Sequence, residues 1–178
     1  MKKIVVSLGG SILVPSLESN NISQYVSVLK KVAETCQIFI VVGGGGEARR
    51  YIQAARGLGA DEATADEFGI MVTRLNARLL ATGLGDAAYP RFAENYTEAR
   101  EFAETGKIVV MGGITPAQTT DAVSAVLAES IGADLLVNAT SVDGIYSDDP
   151  KKVPSAVRYE HLTPQGLLDI IMRSRMDA

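Results

Sequence analysis

The run Gln37-Ile38-Phe39-Ile40-Val41-Val42-Gly43-Gly44-Gly45-Gly46, followed by Glu47-Ala48-Arg49-Arg50-Tyr51-Ile52-Gln53-Ala54-Ala55, decides how the rest of the chain is read. Its first part is apolar nearly throughout and rich in β-branched residues, the pattern of a strand buried on both faces. Its last part is helix-forming. Four consecutive glycines lie between them, and ordering so many is entropically costly, so a purely structural turn seldom needs them all. Backbone amides there can approach an anion closely, and the dipole of the following helix favours negative charge. Arg49 and Arg50 sit one turn in. The run therefore predicts a strand, a ligand-binding loop and a helix.

The same alternation recurs to either side. Residues 3–8, 107–111 and 134–139 are short, mostly apolar runs that read as further buried parallel strands. Residues 22–36 carry Ile22, Val26, Leu29, Val32 and Ala33 at helical spacing, and residues 119–131 do so with Ala122, Val126, Leu127 and Ile131. From Asp61 to Leu84, few breakers interrupt a stripe of Phe68, Met71, Val72, Leu75, Leu79 and Leu80, which predicts one long helix. A late helix begins near Thr163-Pro164, where threonine can cap and proline suits the first turn. Strand-helix alternation argues for an α/β sheet covered by helices on both faces, with ligands beyond the carboxyl ends of its strands. No internal repeat or linker divides the chain, so one domain over 1–178 is expected.

Composition excludes several classes. The chain has 178 residues, of which 47% are hydrophobic and 21% charged, enough for one sizeable core. Its net charge of −4 and isoelectric point near 5.1 offer no global attraction to nucleic acid. No apolar run approaches the roughly 20 residues that cross a bilayer. The single Cys36 cannot form an internal disulfide and the N-terminus does not read as a secretion signal, so a soluble protein of the reducing cytoplasm is expected. Cys36 itself reads as a small buried hydrophobe, His161 as a surface or capping residue, and Lys151-Lys152 as a solvated pair.

Three more loops follow predicted strands. Leu8-Gly9-Gly10-Ser11 lets backbone amides near a phosphate, and a tight turn needing φ > 0 would use the same residues. Gly112-Gly113-Ile114-Thr115-Pro116-Ala117-Gln118-Thr119-Thr120-Asp121 leads into a helix that Thr119 or Thr120 can cap. Hydroxyls, amides and the Asp121 carboxylate at one helix start also suit a phosphorylated substrate and the orientation of a cation. Thr140-Ser141-Val142-Asp143-Gly144-Ile145-Tyr146-Ser147-Asp148-Asp149-Pro150 holds turn pairs but lacks the spacing of a calcium loop. Tyr146 there can pack beside a base or serve as an ordinary surface tyrosine.

Two nucleotide-binding folds are weighed on spacing. A Walker loop needs G-x-x-x-x-G-K-[ST], whereas Gly106-Lys107 is followed by Ile108. Gly43, Gly45 and Ala48 do satisfy a dinucleotide-binding fingerprint, but the acidic residues about 20 positions on, Asp61, Glu62 and Asp66, open a long helix and do not end a second strand.

Taken in order, VSLGGS (6–11), VVGGGGEARRY (41–51), MGGITPAQTTDAV (111–123) and TSVDGIYSDDP (140–150) resemble the successive signatures of the amino acid kinase superfamily, most closely the archaeal-type uridylate kinases. The resemblance covers nearly the whole chain. It implies a three-layer α/β/α sandwich with a mainly parallel central sheet that phosphorylates UMP with ATP and Mg²⁺, the metal riding on the ATP phosphates, usually as a homohexamer. On this pattern Gly9, Gly10, Ser11 and Gly45 fall at the ATP phosphates and Arg49 at the phosphates undergoing transfer, with Asp121 orienting. Gly44, Asp66 and the segment Ile114, Thr115, Pro116, Ala117, Gln118, Thr119 and Thr120 surround UMP, and Thr140, Tyr146 and Asp149 contact the ATP adenosine. The long helix resembles one used for subunit packing. Ser7 stands where many superfamily members carry a lysine, which archaeal uridylate kinases often lack too, and Ser141 stands for the usual asparagine. Family members continue past the equivalent of Arg175-Met176-Asp177-Ala178, so this chain is expected to lack the family's C-terminal segment. An isopentenyl phosphate, carbamate or acylated amino acid acceptor, or a non-catalytic nucleotide-binding module, would use the same glycine scaffold.

Overall fold

The computed structural model describes residues 1–176, with side chains through Met172. They form two compact units, Met1–Ser141 and Val142 onward.

The first unit is built on β1 (Lys2–Leu8), β2 (Cys36–Val42), β3 (Val109–Met111) and β4 (Leu135–Ala139), all parallel in the order β3-β2-β1-β4. Its helices are α1 (Gly10–Leu13), α2 (Ile22–Ala33), α3 (Gly45–Gly57), α4 (Glu62–Leu84), α5 (Tyr96–Ala103) and α6 (Thr120–Ile131). β2 shows why the runs are apolar throughout. Successive side chains of a strand point to opposite faces. Ile38, Ile40 and Val42 join Leu80 and Leu84 of α4 in one buried cluster, while Phe39 and Val41 join Phe102 of α5 and Leu127 of α6 in another. Helices cover both faces, so no position of β2 can be polar without cost.

Four expectations are corrected in detail. Among the described residues β4 pairs with β1 alone, and Leu135, Leu136 and Val137 are exposed, because the first unit does not cover the faces of this edge strand as it covers those of β2. α6 lies against β1 and β2 through Val123, Leu127 and Ile131, so its buried row is rotated from the one anticipated and Val126 is exposed. α4 buries Ala65, Gly69, Val72, Ala77 and Leu80 but leaves Phe68, Met71, Leu75 and Leu79 exposed, having apolar residues on two sides. Cys36 is only half-buried.

Local signals set the helix boundaries. Asp61 starts α4 by accepting from the Thr64 amide, and this bond holds its carboxyl below the ordinary value. Thr119, not Thr120, caps α6 by accepting from the Ala122 amide. α5 begins at Asn95, which accepts from the Glu98 amide, while Glu98 accepts from the Glu94 amide.

The second unit holds the antiparallel pair β5 (Ile145–Tyr146) and β6 (Arg158–Tyr159), then α7 (Pro164–Met176). Thr163 caps α7 by accepting from the Gly166 amide, as the Thr-Pro pair foretold.

Candidate active site

The carboxyl ends of β1, β2 and β3 place the first three glycine loops side by side. A Cβ on Gly10 would lie 2.3 Å from the Gly43 carbonyl oxygen and 2.3 Å from the Gly45 amide nitrogen, and Gly45 has φ +67°. The first two loops are thus in backbone contact that only glycine permits. Gly46 differs, with no protein atom within 4 Å of the side chain it lacks. Packing within the chain therefore does not call for a glycine at this position.

Gly45 and Gly46 are the first residues of α3, where amides have no intrahelical acceptor. The Gly44 amide likewise has no acceptor among the described residues. Gly9 departs from the reading of the sequence: its amide donates to the Ala139 carbonyl at 2.9 Å and is not free for a phosphate. Ser11 is exposed beside a separate cleft that also includes Pro15, Asn21 and Tyr25.

A cavity of about 430 Å³ opens between α3, α4 and the third glycine loop. It brings together Gly44, Asp66, Thr115, Ala117, Gln118, Thr119 and Thr120, all singled out in the sequence. Ile114 and Pro116 are not among its lining residues, and Ile114 packs against the α6-side core instead. Asp66 Oδ2 accepts from the Ala117 amide at 2.8 Å, and Ala117 adopts φ +62°, a conformation that L-residues rarely take. One carboxylate therefore anchors the apex of the loop. Burial pushes the Tyr96 phenol above its ordinary value, with the Gln118 side chain opposing.

Arg49 is exposed in the first turns of α3, and its guanidinium has no partner among the described residues. Arg50 is instead tied to Glu47 at 3.0 Å. Asp121 lies in the first turn of α6, where its Oδ1 accepts from the buried Ser7 hydroxyl at 2.7 Å. Thr140 follows β4 in the first unit. Tyr146 and Asp149 belong to the second unit, where the Tyr146 hydroxyl donates to Asp143 at 2.7 Å. That bond raises the tyrosine's pKa and lowers the aspartate's.

Sequence reading passed over Thr73 and Asn76, which are buried and bonded to the glycine loops. The available signal was polar residues three apart inside the apolar pattern of α4.

Comparison with known proteins agrees with this geometry. The amino acid kinase family profile matches residues 2–176. A uridylate kinase of Methanoculleus marisnigri is 80% identical over 178 residues, covering 100% of this chain and 76% of the relative. One from Methanoregula boonei is 60% identical with the same coverage. The crystal structure of uridylate kinase from Archaeoglobus fulgidus superposes with a TM-score of 0.89 at 47% identity, covering 98% of this chain and 79% of the other. UMP kinase from Ureaplasma parvum, 23% identical, shares the fold with a TM-score of 0.79 over 97% of this chain and 80% of the other. A parallel sheet whose strand ends carry glycine loops in backbone contact, matched by profile, sequence and structure alike, shows that the chain belongs to the amino acid kinase family.

Proposed function

We propose that this chain transfers the γ-phosphoryl group of ATP to the phosphate of UMP, giving UDP and ADP. The carrying observation is the cavity of about 430 Å³, lined by Gly44, Asp66, Thr115, Thr119 and Thr120 and of a size that suits a nucleotide. Relatives of 80% and 60% identity named uridylate kinase support the same acceptor.

In this reading an oxygen of the UMP phosphate attacks the γ-phosphorus, and the bond to the β,γ-bridging oxygen breaks to release ADP. Such a transfer needs positioning and charge compensation and no protein nucleophile. Gly10, Gly43 and Gly45 let the first two loops close against each other, and in this reading the amides at the start of α3 meet the ATP phosphates. Arg49, exposed and without a partner among the described residues, stabilises charge on the transferring group in this reading. Asp121, held by Ser7, orients the reacting groups. Mg²⁺ bound to the ATP phosphates supplies further neutralisation. Gly10, Ser11, Gly45 and Thr140 serve ATP in this account; Tyr146 and Asp149 carry over from the family resemblance alone as ATP contacts. Gly9 serves by lacking a side chain, since its amide is committed.

We place this activity in pyrimidine nucleotide synthesis in the cytoplasm, on a single amino acid kinase domain, a reading that the family profile match over 2–176 supports. Phe68, Met71, Leu75 and Leu79, spaced three and four apart on α4, are 37%, 50%, 63% and 41% exposed. A stripe of this kind supports self-association, and the family resemblance points to a hexamer. Calorimetric titration tests the substrate assignment: UMP is expected to bind at one site per chain, and an absence of heat with UMP contradicts it.

A further inference from the structure

The inner face of α4 carries two polar side chains that the account above leaves without a part in the reaction. Thr73 is 7% exposed and Asn76 5%, among buried residues of α4 that are otherwise Ala, Gly, Val and Leu. Asn76 Nδ2 donates to the Gly43 carbonyl at 3.0 Å and to the Gly44 carbonyl at 3.3 Å. Thr73 Oγ1 accepts from the Gly113 amide at 2.7 Å and donates to the Ile70 carbonyl at 2.7 Å. Residues three apart on a helix are neighbours, so one short stretch of α4 grips two loops that the sequence separates by about 70 residues.

The consequence follows from peptide geometry. A trans peptide is planar, with its carbonyl and its N–H pointing in opposite directions. Gly43 C=O shares a plane with the Gly44 N–H, and Gly44 C=O shares one with the Gly45 N–H. Holding both carbonyls toward α4 therefore aims both amides away from it, where the Gly44 amide finds no acceptor among the described residues. Glycine is otherwise the residue least able to hold a direction. Thr73 does the equivalent for the third loop. A Cβ on Gly112 would lie 2.7 Å from its hydroxyl oxygen, so the loop approaches the helix as closely as its backbone allows.

We propose that Asn76 and Thr73 are positioning residues for phosphoryl transfer, Asn76 fixing the direction of the Gly44 and Gly45 amides and Thr73 fixing the loop that surrounds the acceptor. The proposal rests on the assignment of ATP and UMP made above. It divides the labour: Asn76 acts on charge developing during transfer and so on kcat, and Thr73 acts on the bound acceptor and so on KM for UMP.

The experiment compares Thr73→Val, which keeps the shape and loses the hydroxyl, with Thr73→Ser, which keeps the hydroxyl, and both with Asn76→Ala. Steady-state kinetics are measured for each substrate, with thermal melting as the control for folding. Thr73→Val is expected to raise KM for UMP about tenfold while KM for ATP stays within about twofold, and Thr73→Ser to restore wild-type values. Asn76→Ala is expected to lower kcat at least about tenfold. Unchanged UMP KM in Thr73→Val, equal impairment of Thr73→Val and Thr73→Ser, or unchanged kcat in Asn76→Ala overturns the proposal. The threonine pair decides if Asn76→Ala does not fold. A wild-type protein without UMP-dependent ADP formation defeats the substrate assignment itself, which is read before any variant is compared.

Discussion

Ser7 Oγ donates a 2.7 Å hydrogen bond to Asp121 Oδ1, joining β1 to the first turn of α6 across 114 residues. Ser7 is 3% exposed, whereas Asp121 is open to solvent. A buried hydroxyl thus sets the direction of an exposed carboxylate at the loop where phosphoryl transfer is placed. Ser7→Ala removes one hydrogen bond of about 1 kcal/mol and should cost roughly three- to tenfold in kcat. Steady-state kinetics at saturating ATP and UMP check this; an unchanged kcat shows that the orientation of Asp121 is not used.

Arg49→Ala is expected to lower kcat by about 10²–10³, the usual effect of losing one charge-stabilising group. Its melting temperature should match wild type, because the exposed guanidinium has no partner among the described residues. A variant with normal kcat and KM removes Arg49 from the mechanism.

Asp66→Ala should raise KM for UMP by about tenfold or more, with a smaller effect on kcat. Two losses combine: the carboxylate in the acceptor cavity and the anchor for the Ala117 amide, whose residue holds φ +62°. Calorimetry with UMP checks it. Unaltered affinity would leave Asp66 as a loop anchor only.

Placing a charge on the exposed face of α4 tests self-association. Leu75, 63% exposed, is the most open member of its stripe. Leu75→Glu is expected to shift sedimentation of the protein to a smaller species without changing its circular dichroism. A wild-type protein that sediments as a monomer, or a variant that sediments as wild type does, contradicts an interface there.

The fold was legible where burial is symmetric. β2 could be recognised because Ile38 through Val42 are buried on both faces, and α4 because few breakers interrupt a long stripe of apolar residues at helical spacing. β4 carries the same apolar signature but stands at an edge of its unit, since composition records the hydrophobicity of a strand and not its neighbours. α5 was missed although Asn95 and Glu98 form a capping pair. Of the candidate site, glycines and loop residues were legible because backbone approach restricts residue type. What escaped was pairing: that Gly9 spends its amide on Ala139, that Asp66 holds Ala117, and that Asn76 holds Gly43 and Gly44. Those bonds join residues far apart in the chain, and nothing local in the sequence marks them.

The most direct test of the central claim is coupled detection of ADP formation by the purified chain with ATP and Mg²⁺, comparing UMP with CMP, carbamate and isopentenyl phosphate as acceptors. Turnover selective for UMP is the expected result. Selective turnover of another acceptor, or no UMP-dependent ADP formation, contradicts it.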